Sequence, residues 1–177
     1  MSLFSKILST KRVLISLETI HQEKDTAVIK EALSKKIRKL FKGSLAIRAI
    51  DAGSTNAEEQ ELTALANPYY DIERFGIHFV ASPRHADMLI VTGAVSRNMA
   101  GALQKTYDAM PNPKIVVALG DTAIDGGIFK GSYGVLDGVH HIIPVHFQIP
   151  GDPPSPVTIL ASLLKILETI DTRTSLS

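Results

Sequence analysis

The hydrophobic and polar positions of this chain change their period several times, and each change marks a new element. Between Asp25 and Phe41 apolar residues recur every three or four positions, with basic residues on the opposite face. This spacing predicts an amphipathic helix, and Gly43 is a suitable stop after it. The same period predicts further helices at Asn98–Met110 and Ser155–Ile170.

Five short runs between these helices are rich in apolar and β-branched residues and do not alternate strictly with polar ones. Such runs are typical of strands that are covered on both faces, as in parallel sheets. The predicted strands are Ser44–Ile50, Ile77–Ala81, Met88–Ala94, Lys114–Gly120 and His140–His146. Their alternation with helices predicts a three-layer α/β domain with a mostly parallel sheet.

The beginning of the chain has a different character from the rest. Leu3, Phe4, Ile7 and Leu8 form a short apolar stripe at helical spacing, with Lys and Ser between them. Such a segment can lie on a membrane surface, on a partner or on its own domain. We therefore divide the chain into an N-terminal helical arm at residues 1–42 and an α/β domain at residues 43–177.

Composition narrows the possible functions. The 177 residues include no cysteine, which excludes disulfides, zinc–thiolate sites and thiol catalysis. The net charge of +1 gives no reason to expect nucleic acid as a partner. No apolar run approaches the ~18–20 residues that span a bilayer, and charged residues interrupt the first apolar stretches. These features predict a cytoplasmic protein.

Three loops that follow predicted strands combine glycine with carboxylates or hydroxyls. They are Asp51–Glu59, Asp121–Gly127 and Gly151–Pro154. Because the carboxyl ends of parallel strands share one edge of a sheet, we expect these loops to converge into a site. They are not accompanied by a Ser–His–Asp set or by a short histidine motif for a metal. These residues by themselves therefore do not identify a reaction.

Several motifs between Tyr70 and Pro154 carry a family resemblance: "YDIERFGI", "SPRHAD", "TGAVSRNMA", "MPNPK", "GGIF", "IIPV" and "PGDPP". Together they resemble the small subunit of membrane-bound group 4 [NiFe]-hydrogenases and the homologous 20-kDa-type subunit of complex I, the proton-pumping NADH:quinone oxidoreductase. "SLAIR" and "SPRHAD" are more similar to the hydrogenase and formate-hydrogenlyase branch. The resemblance runs from about Ser44 to Leu167 and implies a flavodoxin-like three-layer αβα domain.

The resemblance also implies a cofactor site, because this family holds one [4Fe–4S] cluster with four cysteines. The matching positions here are Thr55, Glu58, Thr122 and Asp152. Iron–sulfur clusters require soft thiolate ligands, and hydroxyls and carboxylates replace them poorly. We therefore interpret these residues as degenerate ligand positions and expect no bound cluster and no electron transfer through this chain.

What replaces the cluster is left open by the sequence. The carboxylates expected at the site are Glu58, Glu59, Asp121, Asp125 and Asp152, with Glu58 and Asp152 facing each other. They could hold a hard divalent cation such as Mg²⁺ or Ca²⁺, form an ion pair with Arg48, Arg84 or a partner's arginine, or relay protons. The simplest interpretation is a hydrogen-bonded remnant without a ligand.

Residues around this site are assigned by the resemblance to an interface with the large subunit. They are Arg48, Glu61, Tyr69, Arg74 and Arg84. Glu61 matches an acidic position implicated in proton handling, so it is a possible proton carrier, although a surface glutamate is the plainer alternative. For Arg84, structural anchoring through Asp87 or backbone carbonyls is an equal alternative.

These observations predict a subunit of a membrane-associated complex related to NADH:quinone oxidoreductase and group 4 hydrogenase. Its role would be structural or coupling, without redox activity of its own. The implied partners are a hydrogenase large-subunit or 49-kDa-subunit homologue and antiporter-like membrane subunits, at the inner face of the cell membrane. Two alternatives remain: an electron-transfer subunit with an altered [4Fe–4S] cluster, and a stand-alone ligand-binding module.

Overall fold

The computed structural model describes residues 13–14 and 26–175, and these form a parallel sheet between two layers of helices and turns. The strands are β1 (Val13–Leu14), β2 (Leu45–Asp51), β3 (Ile77–Phe79), β4 (Met88–Thr92), β5 (Ile115–Leu119) and β6 (Phe147–Ile149). The helices are α1 (Thr26–Phe41), α2 (Ala57–Leu65), α3 (Arg97–Ala109), α4 (Asp121–Asp125) and α5 (Pro156–Ser175). Neighbouring strands all run parallel, in the order β1-β6-β5-β4-β2-β3.

The sheet divides the core into two layers because successive strand residues point to opposite faces. In β5, Ile115, Val117 and Leu119 pack with α1, α2 and α5, whereas Val116 and Ala118 pack on the side of α3. All five residues of β4 and of β5 are buried. This explains why these strands read as continuous apolar runs in the sequence and confirms the predicted α/β class.

Helix α1 packs against α5 over much of its length. Ile29, Leu33 and Ile37 lie inside the core layer that α5 shares. At the edge of this contact, Lys36 and Lys39 both form ion pairs with Asp171, each at 2.6 Å. This helix, which the sequence analysis places in an N-terminal arm, thus belongs to the core of the α/β unit. The apolar stripe at residues 3–8 lies outside the described residues.

The predicted strand at His140–His146 is wrong. This segment begins with a 3₁₀ turn at Val139–His141, and the strand follows it as β6. At the end of this segment, His146 pairs with Val116 of β5 through both its ring and its backbone. Val116 N donates to His146 Nδ1 at 3.0 Å, and His146 N donates to the Val116 carbonyl at 2.9 Å. Burial lowers the pKa of His146, which keeps the ring neutral and able to accept this bond.

The predicted strands at residues 44–50, 77–81, 88–94 and 114–120 are confirmed as β2 to β5, with β3 shortened to three residues. The short strand β1, which the sequence analysis did not predict, pairs with β6 at the sheet edge. None of the helices described within residues 26–175 is long and apolar enough to cross a membrane.

Candidate functional site

The loops that follow β5 and β6 are joined by backbone hydrogen bonds. Gly120 N donates to the Ile149 carbonyl at 2.8 Å, and Asp121 N donates to the Gly151 carbonyl at 2.9 Å. Gly151 N in turn donates to Asp121 Oδ1 at 2.9 Å. Asp121 therefore holds two loops together, and the expected convergence at the carboxyl edge of the sheet is observed.

Glu58 connects the loop after β2 to this pair of loops. It lies in the first turn of α2, is only 1% exposed, and accepts a 2.7 Å hydrogen bond at Oε1 from the Thr122 hydroxyl. Its other oxygen, Oε2, is buried and has no hydrogen-bond partner among the described residues. Two of the four predicted ligand positions thus contact each other directly.

Gly120 gives the Glu58 carboxylate its space. A Cβ at this position would lie 2.5 Å from Glu58 Oε1 and 2.9 Å from its Cγ, and the backbone φ is +89°. Only glycine combines this close approach with a left-handed φ at no steric cost. The turn after β5 is therefore shaped around the glutamate side chain.

The neighbouring Glu59 is bound by hydroxyl groups. The Ser54 hydroxyl donates to Oε2 and the Thr92 hydroxyl, at the end of β4, donates to Oε1. Ahead of them in the chain, Asp51 Oδ1 accepts from Gly53 N and Ser54 N, each at 2.7 Å. The loop from β2 to α2 is therefore fixed by its own side chains. The sequence analysis missed Thr92, although a hydroxyl at the end of an otherwise apolar run was a usable signal.

The other two predicted ligand positions are not brought into this contact. Thr55 and Asp152 are exposed, and neither makes a side-chain hydrogen bond within residues 26–175. The partner of Glu58 is Thr122 rather than Asp152, because the glutamate side chain turns inward against Gly120. Asp125 also points elsewhere, since it bonds Lys130 Nζ at 3.0 Å, and that bond lowers the pKa of the carboxyl group.

This donor set does not fit an iron–sulfur cluster. A [4Fe–4S] cluster needs four thiolates, and the chain has no cysteine. Glu58 Oε1 accepts the hydrogen bond from Thr122, and neither a carboxylate nor a hydroxyl is the soft ligand that iron–sulfur clusters take. Within the described part of the chain, moreover, no group of three or more histidine, aspartate or glutamate residues is placed to hold a metal ion.

Among the predicted interface residues, Arg48 lies beside a cavity of about 340 Å³ between β2, β3 and α2, and its Nε is buried without a hydrogen-bond partner in the described part of the chain. Glu61 is partly exposed on α2. Tyr69 is 72% exposed, and its carbonyl accepts a 2.8 Å hydrogen bond from Lys30 Nζ. Arg74 is exposed and forms a 2.9 Å ion pair with Asp71.

Within residues 26–175, Arg84 forms neither an ion pair with Asp87 nor a side-chain hydrogen bond to a backbone carbonyl. It is exposed and lies just before β4, whereas Glu58 and Thr122 follow the carboxyl ends of β2 and β5. Asp87 instead accepts a 3.0 Å hydrogen bond from Ala46 N, and burial raises the pKa of this carboxyl group. Asp87 therefore links β2 to the start of β4 without an arginine.

The sequence of this chain matches a known protein family over more than half of its length. The family model described as NADH ubiquinone oxidoreductase, 20 Kd subunit, matches residues 56–166. The chain belongs to this family. The match includes Glu58 and Thr122 and ends within α5.

Relatives of this 20 kDa subunit family member include a formate hydrogenlyase subunit and a chain of an archaeal respiratory membrane complex. Formate hydrogenlyase subunit 7 of Escherichia coli (strain K12) is 40% identical over 149 residues, which is 82% of this chain and 57% of that protein. A chain of the membrane-bound sulfane sulfur reductase, an archaeal respiratory membrane complex, is 34% identical and superimposes with a TM-score of 0.66. The match covers 80% of this chain and 77% of that chain.

A more distant structural match supports the fold alone. A chain of the NAD⁺-reducing [NiFe]-hydrogenase in the H₂-reduced state is 17% identical, with a TM-score of 0.57, and covers 71% of this chain and 92% of its own. The match confirms the expected flavodoxin-like arrangement of a parallel sheet between helices. The predicted relationship to complex I and hydrogenase subunits is also confirmed.

Proposed function

We propose that this 20 kDa subunit family member is a structural or coupling subunit of a membrane-associated complex and carries no iron–sulfur cluster of its own. The observation that carries the proposal is the hydrogen bond between Glu58 and Thr122, at two positions where the family places cluster ligands. In a chain without cysteine, this bond joins the loops that a cluster would otherwise join. The protein would then retain the fold of the family's subunit but would lack the cluster that carries electrons through it.

The assembly that we propose follows from the relatives. These relatives belong to a formate hydrogenlyase and to an archaeal respiratory membrane complex. We propose a large-subunit homologue of the hydrogenase or 49-kDa type as the direct partner, and antiporter-like membrane subunits beneath it. The chain would sit peripherally at the inner face of the membrane, and any redox chemistry would belong to other subunits.

The test is anaerobic purification of this chain, alone and co-expressed with the large-subunit homologue from the same complex. We expect the two proteins to co-elute. We also expect the isolated chain to contain no iron and no sulfide and to give no EPR signal of a reduced cluster. About four irons and four sulfides per isolated chain would show an electron-transfer subunit instead. A stable monomer that never binds the large subunit would contradict the structural role.

The stand-alone alternative has its own measurement. A thermal-shift screen of the isolated chain with flavins, nucleotides and divalent cations would detect a ligand-binding module, because a ligand of the folded state raises the melting temperature. We expect no shift with flavins or nucleotides. The same screen tests whether the folded chain binds Mg²⁺ or Ca²⁺.

A further inference from the structure

A cavity of about 250 Å³ lies at the amino edge of the sheet, at the end opposite to Glu58 and Thr122. Asp87, just before β4, contributes the one carboxyl group on its wall, and Lys42 is exposed at its rim. The volume is below the ~300–1,000 Å³ of ligand pockets, which favours apolar side chains over a cofactor as the occupant. The apolar lining includes Leu40, Phe41, Pro111 and Ile115.

The pairing of β1 with β6 brings the start of the chain to this same edge. Val13 lies opposite Phe147 in parallel register, so the residues before β1 reach the sheet at its amino edge. Only β6 separates β1 from β5, which is a distance of about 10 Å at ~4.8 Å per strand. Residues 9–12 span up to ~13 Å when extended, so residues 3–8 are within reach of the cavity.

Residues 1–12, which lie outside the described residues, have a composition that matches this lining. Their apolar side chains at positions 3, 4, 7 and 8 suit the wall of the cavity. They also include three basic residues, Lys6, Lys11 and Arg12, and no acidic one. Burial raises the pKa of Asp87, and a cation nearby would favour its charged form.

We propose that this cavity is the docking site of the chain's own N-terminal segment, with apolar side chains of residues 3–8 inside it and a basic side chain near Asp87. Three contacts are open to this segment from its sequence: a membrane surface, a partner and its own domain. The course of β1 and the lining of the cavity favour the third. Docking at the amino edge is independent of the proposed function, which concerns the opposite edge of the sheet.

The test is disulfide formation between introduced cysteines in the full chain, which contains none of its own. Leu8→Cys with Pro111→Cys should cross-link within one chain on mild oxidation, because docking brings the two positions within the short Cα separation that a disulfide requires. Leu8→Cys with Thr55→Cys is the matched control, since Thr55 is exposed at the opposite edge. We expect the first pair to cross-link on the order of 10-fold faster.

Hydrogen exchange gives a second readout that needs no cysteine. Phe4→Ser combined with Ile7→Ser removes two apolar side chains from the segment, so we expect faster exchange at residues 40–43 and 111–115. Ser5→Ala lies in the same segment and should leave exchange there as it is in the wild type. Circular dichroism melting of each variant shows that it is folded.

Other outcomes overturn the proposal in distinguishable ways. Equal cross-linking rates for the two cysteine pairs, or unchanged exchange in the Phe4→Ser, Ile7→Ser variant, would show that the segment does not occupy the cavity. A Leu8–Pro111 disulfide that joins two chains would show that a second copy fills it. Flotation of the wild type with phosphatidylglycerol vesicles, together with no cross-link to Pro111, would show a membrane contact instead.

Discussion

Thr122 donates a 2.7 Å hydrogen bond to Glu58 although 64 positions separate the two residues in the chain. The bond joins the first turn of α2 to the first turn of α4, and both partners are buried. A buried carboxylate with a single donor depends on that donor, since the other oxygen has no partner. The bond therefore contributes to the stability of the whole carboxyl edge of the sheet.

Removing this donor is expected to destabilise the protein. Thr122→Val keeps the shape of the side chain and leaves Glu58 buried without the described hydrogen bond, so we expect a loss of about 1–3 kcal/mol in the free energy of unfolding by urea. Thr55→Val is the matched control, since Thr55 is exposed at an equivalent family position. Equal unfolding midpoints for the two variants would show that the Glu58 contact is not stabilising.

Gly120→Ala is expected to be more damaging than an ordinary glycine substitution. The new Cβ would clash with the Glu58 side chain. Alanine would also be strained at the backbone φ of +89°. In a Glu58→Ala background the contact disappears and the strain remains, so the two changes should couple by ~0.5–3 kcal/mol in a double-mutant cycle. Gly131→Ala, at φ +74° with open space around it, measures the strain alone. Additive effects would rule out the close contact.

Lys30 holds the exposed Tyr69 segment in place. It is 7% exposed, donates to the Tyr69 carbonyl, and lies 5.7–5.8 Å from the ring centroids of Tyr69, Tyr70 and Phe75. Lys30→Met removes the charge and the donor, so we expect faster hydrogen exchange at residues 67–75 and a loss of about 1 kcal/mol in stability.

The control for Lys30 is on the same helix. Lys35 forms a solvent-exposed ion pair with Glu31, and such pairs contribute little. Lys35→Met should therefore leave exchange at residues 67–75 as it is in the wild type. If both variants accelerate exchange to the same extent, the effect belongs to the charge of α1 and not to the contact with the aromatic rings.

Asp171 makes stability depend on pH in a defined direction. Hydrogen bonds from Lys36 and Lys39 lower its pKa in the folded state. Its contribution is therefore fully present above the unfolded value of about 3.9 and is lost as the pH falls through the folded pKa. We expect Asp171→Asn to cost ~1–2 kcal/mol at pH 7.

The check is the difference in unfolding free energy between wild type and Asp171→Asn from pH 7 down to pH 2. The difference should be constant above about pH 5 and should shrink below about pH 4. Because all other carboxylates titrate equally in both proteins, the comparison isolates Asp171. A difference that stays constant to pH 2 would mean that the ion pairs contribute nothing.

The strands that pack on both faces were predictable, because their runs are apolar at nearly every position. Residues 88–92 and 115–119 are buried throughout, so their sequence carries the signal directly. The segment His140–His146 has similar β-branched residues, but the ring of His146 takes the Val116 donor that a strand backbone would pair with. Local propensity does not contain this tertiary contact.

The site was predictable in its location and not in its pairing. Loops after parallel strands converge by topology, which brings Glu58 and Thr122 to the same edge. Which carboxylate turns inward depends on side-chain rotamers and on the space above Gly120, and neither is encoded in loop spacing. The expected partner Asp152 remained at the surface for this reason.

The contact between α1 and α5 also has a consequence for synthesis on the ribosome. The apolar face of α1, with Ile29, Leu33 and Ile37, packs against a helix whose residues are translated more than a hundred positions later. Until α5 emerges from the exit tunnel, that face can pack only against the strands made before it and lacks one of its main partners. The apolar face of α1 is thus open to chaperones and to aggregation for most of the time that the chain is being synthesised.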